Sequence, residues 1–451
     1  VWKGANVTYR AAVVGAGPSG LYAADALASS GALVDVIERL PVPFGLVRYG
    51  VAPDHLSIRS VRDTLAKVLA RPEVRLLAGV EVGADVTVAE LLGAYDAVVL
   101  TYGASRDRHL DVPGEDLPGS VAATDLVNWY CGHPDADRET IEAALGAATS
   151  VVVVGVGNVA VDVARVLVAP ASRLDTTDMP QHVLDVVEST GITDVHILGR
   201  RTAAHANWTT KELRELGELD GVDVVCQPVE LVSEPVADRL DEQDRVVHRN
   251  LEVLHEWSQR EPTGAAKRIH LHFHARPHEL VGDGRVQTVV VERTRVDDDG
   301  SAHGTGETWE LPAQLVVRSV GYRGLPLDGV PFDSRRNVVR NEEGRVVDES
   351  GARVPGLYVA GWIKRGPSGI IGTNKKDAAA TVAHLLEDLQ GAEATGGDGI
   401  VPLLAERGVT PVGLEGWHAI DAAERALGGT RGRDRTTLHE RQTLLDAARG
   451  A

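Results

Sequence analysis

At 451 residues, with 43% hydrophobic side chains and a formal net charge of −19, the chain is long enough for two or more globular cores. The acidic balance excludes nonspecific binding to nucleic acid or an anionic membrane, because the long-range field repels polyanions unless basic residues gather locally. Two cysteines, Cys131 and Cys226, far apart and outside any CxxC spacing, exclude a disulfide framework, a thiolate metal cluster and dithiol redox chemistry.

The leading VWKGANVTYR lacks the basic-then-apolar layout of a signal peptide, and no later stretch has the length of a membrane span. A cytoplasmic protein without membrane insertion is expected. Residues 11–15 read as a buried strand, 19–30 as a helix and 33–38 (LVDVIE) as the next strand, together one βαβ unit. Between strand and helix, Gly15, Gly17 and Gly20 match GxGxxG. These glycines allow a tight turn, close backbone approach to a pyrophosphate and tight helix-to-strand packing, with the helix N-terminus offering unpaired N–H groups to the anion. Glu38, 23 residues after Gly15 at the end of the second strand, is placed to accept hydrogen bonds from a ribose diol.

A short apolar strand at 97–102 (AVVLTY) precedes the Pro- and Gly-rich DVPGEDLPGS at 111–120, which reads as a crossing between domains. A second βαβ unit starts at Ser150, where VVVVGVGNVAVDVARVL carries Gly155, Gly157 and Ala160 as GxGxxA, with Asn158 and Val159 at the helix start. Its next strand is VHIL at 195–198, delayed by a polar insert around 170–192. Here no acid follows; the strand ends in Gly199, Arg200 and Arg201. A guanidinium suits a 2′-phosphate, which a carboxylate would repel, so NADP(H) is the expected second nucleotide. In TTKELREL, Thr209 and Glu212 have capping-box spacing, which by itself accounts for both.

In RIHLHFHARPH, His270, His272 and His274 alternate and would share one strand face. Residues at this spacing lie about 7 Å apart along a strand, so a solvated face rather than a metal site is expected. The chain crosses back near SVGYRG at 319–324, returns to strand, loop and helix at 357–389, and ends in a partly helical arm after Gly391 that includes GWHAIDAAERAL.

Five stretches in order, VVGAGPSGLYAADAL, PVPFGLVRYGVAPDH, VGVGNVAVDVAR, LGRR and AGWIKRGPSGIIGTNKKDA, resemble the adrenodoxin reductase family of NADPH-dependent ferredoxin reductases. The resemblance spans almost the whole chain, and the second and fifth stretches are far more specific than any glycine motif. It implies a glutathione-reductase-like α/β fold with two Rossmann-like dinucleotide-binding domains, the NADP domain (108–322) inserted into a discontinuous FAD domain (1–107 and 323–451). It implies a flavin site at Gly15, Ala16, Gly17, Gly20, Glu38, Leu46, Val82, Trp362, Gly369, Ile370 and Ile371. The NADP site would take Gly155, Gly157, Asn158, Val159, Ala160, Arg200, Arg201, Glu212 and Gly369, and His55 and Asp162 match a pair near the active site. A helix beginning near Thr373 would point its N-terminus at the flavin's pyrimidine edge. After LGRR, where the family continues with a GPxQ-like stretch and an aromatic, this chain has TAAHANW.

The activity so implied is hydride transfer from NADPH to FAD and single-electron transfer to a separate iron–sulfur ferredoxin, which can feed a cytochrome P450 or another oxygenase. No metal is expected in this chain, and a monomer is implied. An acidic ferredoxin must find a local basic patch, for which the NADP domain and the surroundings of Lys364 and Arg365 are the candidates. Two other enzyme readings fit less well. A glutamate-synthase-small-subunit-like flavoprotein would bring cysteine-rich segments, and a flavin monooxygenase an FxGxxxH-type signature; neither is present. A redox sensor without turnover is the remaining alternative.

Overall fold

The computed structural model describes residues 8–228, 242–369 and 371–450. Two compact units emerge, one running to Arg106 and resuming at Tyr322, the other being the insert Asp107–Gly321. In chain order the first unit lays down β1 (Arg10–Val14), α1 (Pro18–Ser29), β2 (Leu33–Glu38), α2 (Leu46–Tyr49), β3 (Val74–Ala78) and β4 (Ala97–Leu100). The insert contributes β5 (Ser120–Ala122), β6 (Ser150–Val154), α3 (Asn158–Val168), β7 (Asp194–Leu198), α4 (Thr210–Leu216), β8 (Val222–Cys226) and β9 (Lys267–His272). It continues with β10 (Ala275–Val281), β11 (Thr288–Val296), β12 (Ala302–Pro312) and β13 (Leu315–Arg318). The returning chain adds β14 (Asn341–Glu342), β15 (Arg345–Val347), β16 (Arg353–Val359), α5 (Ile371–Asp388), α6 (Leu414–Gly429) and α7 (Arg441–Arg449). Among the described residues, no helix is long and apolar enough to cross a membrane.

The first unit is built on a seven-stranded sheet of order β14-β15-β16-β4-β1-β2-β3, parallel from β16 to β3 and closed at one edge by the antiparallel β14 and β15. The insert has a six-stranded parallel sheet, β5-β13-β6-β7-β9-β8, with the antiparallel meander β10-β11-β12 as a separate layer. Central parallel strands are covered on both faces, so their sequences lose alternation and become continuous apolar runs. RAAVV and SVVVV are such runs, with only the first residue of each less than fully buried. In α1, Leu21, Ala23, Ala24 and Leu27 are 0–1% exposed, and the small residues let α1 lie close to β1 and α5. Burying a Leu or Val side chain of this kind contributes ~1.5–3 kcal/mol.

Both βαβ units form where the apolar runs place them, and the arm's GWHAIDAAERAL lies within α6. The helix expected near Thr373 starts at Ile371. In the insert, the polar stretch after α3 folds as two short helices, Ala171–Leu174 and Gln181–Ser189, before β7.

The histidine stripe departs from a simple solvated face. His274 leaves the strand, with φ 52°, and its Nδ1 lies 3.1 Å from the Thr294 carbonyl oxygen. A cross-strand neighbour replaces it, because parallel pairing sets His196 on β7 opposite His270 on β9. The rings of His196 and His270 stack at 4.4 Å, and His196 Nδ1 lies 3.0 Å from His272 Nε2. His270 Nε2 is 2.9 Å from Asp194 Oδ1, which Arg268 also grips. Desolvation, then the neighbouring imidazoles, lowers His196 to about 3 and His272 to about 4. Both rings are neutral in the folded protein across the range where an unfolded histidine, with a pKa of ~6.5, takes up a proton. The unfolded state therefore binds more protons between about pH 6.5 and pH 4, and stability falls as pH falls through that window. Urea denaturation of His272→Gln and the wild type at pH 7 and pH 5 should show the variant losing less stability, by about 1 kcal/mol after allowance for partial solvent exposure.

Candidate functional site

The first glycine loop is shaped by sterics. Gly15 has φ +107°, and a Cβ there would lie 2.9 Å from the Thr101 carbonyl oxygen at the end of β4. Gly20, in the first turn of α1, passes so close that its Cβ would stand 1.9 Å from the Gly15 oxygen. Gly17 is different: an added Cβ would meet nothing nearer than Gly45 Cα at 4.0 Å. As the N-cap of α1 it brings no side chain to the helix start, so the first N–H groups of α1 remain available for an anion. The Ala16 N–H donates to Glu38 Oε2 at 2.8 Å, and the Leu40 N–H donates to Oε1 at 3.0 Å. Burial raises the Glu38 carboxyl above its ordinary pKa, against the backbone bonds from Leu40, Ala16 and Arg39 and the charge of Arg39. Each carboxylate oxygen keeps a further lone pair for a hydroxyl group.

The segment after β2 closes on this loop in a way the motif alone does not reveal. Phe44 is fully buried with φ 88°, a conformation rare for a side-chain-bearing residue, and its N–H donates to the Ala16 carbonyl at 2.9 Å. A Cβ on Gly45 would come within 3.0 Å of Gly17 Cα. The compact PFG within PVPFGLVRYG was the available signal, since only small or constrained backbone fits against a glycine loop. Leu46, first in α2, leaves an apolar side chain 37% exposed, and Val82 is half-buried beside the bend that pairs it with Val86. His55 is buried at the N-cap of the short helix Leu56–Arg59.

On the returning chain, Trp362 stacks on Tyr322 with ring centroids 5.5 Å apart, and its indole Nε1 is buried without a hydrogen-bond partner among the described residues. Ser19 Oγ, near the start of α1, is likewise buried and unpartnered. Gly369 has φ +81° and precedes α5, whose first residue is Ile371; Ile370 lies outside the described residues. Asp377 braces this turn by accepting from the Gly361 N–H at 2.6 Å and Lys364 Nζ at 2.9 Å. Arg365 donates to Asn374 at 2.7 Å and to the Ser368 carbonyl. Lys364 and Arg365, 14% and 20% exposed at their side chains, are therefore internal braces of the loop rather than a presented basic patch.

In the insert the same steric device recurs. Gly155 has φ +132°, and a Cβ would lie 2.1 Å from the Ser319 carbonyl oxygen beyond β13. Gly157 faces open space, and no side chain caps α3, whereas Ala160 is fully buried at the packing point. Asn158 Oδ1 accepts the Thr209 N–H at 2.9 Å, and Val159 is half-buried next to it. At the end of β7, Gly199 is forced by contact, since its Cβ would fall 2.8 Å from Val156 Cγ1. The backbones of the next two residues are pinned: the Arg200 carbonyl accepts from Thr294 Oγ1 at 2.6 Å and the Arg201 carbonyl from the His274 N–H at 3.1 Å. Their guanidinium groups make no hydrogen bond or ion pair among the described residues. The unusual TAAHANW folds back onto the glycine loop, with the Asn207 N–H bonded to the Val156 carbonyl at 2.9 Å and Trp208 buried edge-on to Phe273.

Only half of the expected capping box forms. Thr209 Oγ1 accepts the Glu212 N–H at 3.3 Å, but the buried Glu212 carboxylate lies 3.7 Å from Arg165. Arg165 is fully buried and also meets Asp162 at 2.9 Å and Glu215 at 3.6 Å, so one guanidinium serves three carboxylates. Neither cysteine is in a disulfide; burial pushes the Cys226 thiol up to about 11, far from the thiolate that dithiol chemistry needs.

Residues 9–373 match the family described as pyridine nucleotide-disulphide oxidoreductase. The chain is 43% identical to the NADPH-ferredoxin reductase FprA of Mycobacterium tuberculosis over 462 aligned positions, covering 97% of this chain and 98% of the relative. It is 39% identical to the mitochondrial NADPH:adrenodoxin oxidoreductase of Homo sapiens, covering 96% and 90%. The solved structure of Mycobacterium tuberculosis FprA in complex with NADPH superposes with a TM-score of 0.92 at 42% identity, across 98% of this chain and 100% of that one. The chain belongs to the pyridine nucleotide-disulphide oxidoreductase family and, within it, to the NADPH-ferredoxin and NADPH:adrenodoxin reductases.

Proposed function

We propose that the chain is an FAD-containing ferredoxin–NADP reductase, with FAD held by the discontinuous unit and NADPH by the insert. The observation that carries this reading is the contrast between two similar glycine loops. A carboxylate, Glu38, follows the first, and two unpaired arginines, Arg200 and Arg201, follow the second. The residues fit the groups they would hold. At Gly17 and Gly157 an uncapped helix start faces free space, as a pyrophosphate requires, and two buried polar atoms, Ser19 Oγ and Trp362 Nε1, stand without partners on the FAD side.

A bound FAD supplies the conversion between a two-electron hydride from NADPH and single electrons for an iron–sulfur ferredoxin, a separate chain. The protein's own groups have other tasks. Glu38 accepts the ribose hydroxyls, the first N–H groups of α1 and α3 hold pyrophosphates, and Leu46, Val82, Trp362, Gly369 and Ile371 line the flavin. The N-terminus of α5 offers positive potential where negative charge develops on reduction. Arg200 and Arg201 bind the 2′-phosphate as bidentate donors, and Asn158 fixes the loop beside it. Buried Arg165 keeps Asp162 and Glu212 ordered as partners of the nucleotide's reacting end, and His55 is a further candidate for a catalytic role in its own unit. A cytoplasmic monomer is the accompanying expectation.

Purified protein should show an oxidised-flavin visible spectrum and reduce cytochrome c through an added ferredoxin with NADPH in clear preference to NADH. A colourless protein that binds no added FAD overturns the reading. Arg200→Ala should raise KM for NADPH about 5- to 150-fold, the equivalent of the ~1–3 kcal/mol of a lost charged hydrogen bond, and leave KM for NADH nearly unchanged. Equal losses with both nucleotides would remove the arginine from 2′-phosphate recognition.

A further inference from the structure

The C-terminal arm is joined to the loop segment 44–48 by a buried ion network whose partners stand 376 residues apart. Glu424, in α6, is fully buried and accepts from both terminal nitrogens of Arg48, one at 3.1 Å, from Arg435 Nη1 at 2.9 Å and from the Leu438 N–H at 2.9 Å. Arg435 also reaches Asp421, which Arg425 holds as well at 2.8 Å, so Glu424 and Asp421 answer the buried charges of Arg48 and Arg435. Around it, Trp417 of α6 meets the Phe44 ring edge-on at 5.3 Å, and the Arg48 guanidinium lies 5.8 Å from the Trp417 ring and 5.0 Å from that of Tyr49. Arg59 completes the setting by donating to the carbonyls of Arg48 and Val51. The arm is tied to the sheet as well, through paired backbone bonds between Ala78 and Val412.

The placement of these contacts is informative. Phe44 holds a left-handed conformation that is unfavourable for a residue bearing a side chain and persists only where its surroundings over-determine it. On one side its N–H is bonded to Ala16 in the glycine loop, and on the other its ring is held by Trp417. Two residues beyond Leu46, Arg48 is anchored by a buried carboxylate from the far end of the chain.

We propose that Glu424 and Trp417 are positioning residues for the flavin: the arm clamps segment 44–48 against the glycine loop and so holds Leu46 and the Ala16 backbone in the geometry that retains FAD. This rests on the FAD reading above. Removing the Glu424 charge leaves Arg48 buried without a counter-ion, a strongly unfavourable state that moving the segment outward relieves.

The test compares the wild type, Glu424→Gln and Trp417→Leu by FAD release rate, visible circular dichroism of the flavin and NADP+ binding by calorimetry. A wild type that binds no FAD defeats the underlying reading, whatever the variants do. With FAD bound to the wild type, both variants should release it faster, by of the order of tenfold, with altered flavin dichroism and unchanged NADP+ affinity. Should Glu424→Gln fail to fold, Trp417→Leu, which strands no charge, decides alone. Wild-type release rates and dichroism in the folded variants, or loss of NADP+ binding in parallel with FAD, would overturn the clamp.

Discussion

The rest of the structure depends on one steric requirement, met twice: the turn from the first strand into the first helix must pass under the end of a neighbouring parallel strand with nothing in the way. A methyl at Gly15 would strike the Thr101 carbonyl, and one at Gly155 the Ser319 carbonyl. In each unit the strand that imposes the limit arrives much later in the chain, as β4 beside β1 and β13 beside β6. The backbone of each loop is locked on both sides. Gly15 N–H donates to the Ile37 carbonyl and Gly155 N–H to that of Leu198, while Thr101 and Ser319 donate back to Val14 and Val154. The uncapped N–H groups at the start of α1 and α3 are thereby held in place before any ligand arrives.

With the scaffold common to both, the proposed reading leaves discrimination to the residues after the second strand. Glu38, held by backbone N–H groups, would suit a neutral diol in that reading. Facing a 2′-phosphate it would be prohibitive: at about 4 Å and an effective dielectric of about 20, like unit charges repel by about 4 kcal/mol. Arg200 and Arg201 reverse the sign, and their carbonyls are pinned by Thr294 and His274 while their guanidiniums are left uncommitted. The meander strand β11 thus serves the arginine turn directly.

What the sequence made legible follows interaction range. The βαβ units, both glycine loops, Glu38 and the arginine pair are local in sequence, and period and spacing expose them. Glu212 was half legible, because its N–H is used in the local cap while its carboxylate goes to Arg165, which no spacing rule ties to it. The histidine stripe misleads for the same reason. Alternation predicts a shared face, but the neighbour that desolvates it, His196, comes from another strand through parallel register. Phe44 and Glu424 are the extreme case, since a strained φ and a partner hundreds of residues away leave no periodic trace.

Charge shows the same limit. The net −19 is a sum over residues, yet a partner meets only the charges that are presented. Arg48, Arg59, Arg165 and Arg435 are at most 5% exposed and tied to internal acceptors, and Lys364 and Arg365 are turned onto Asp377, Asn374 and Ser368. Buried pairs of this kind cancel in the sum and vanish from the surface, so a run such as IKR carries no information about docking until its hydrogen bonds are known. An acidic ferredoxin would have to be recognised by basic groups that remain unpaired. Arg200 and Arg201, whose guanidiniums make no hydrogen bond or ion pair among the described residues, are the groups proposed for the 2′-phosphate, so in that reading a docking surface draws on cations other than these two runs.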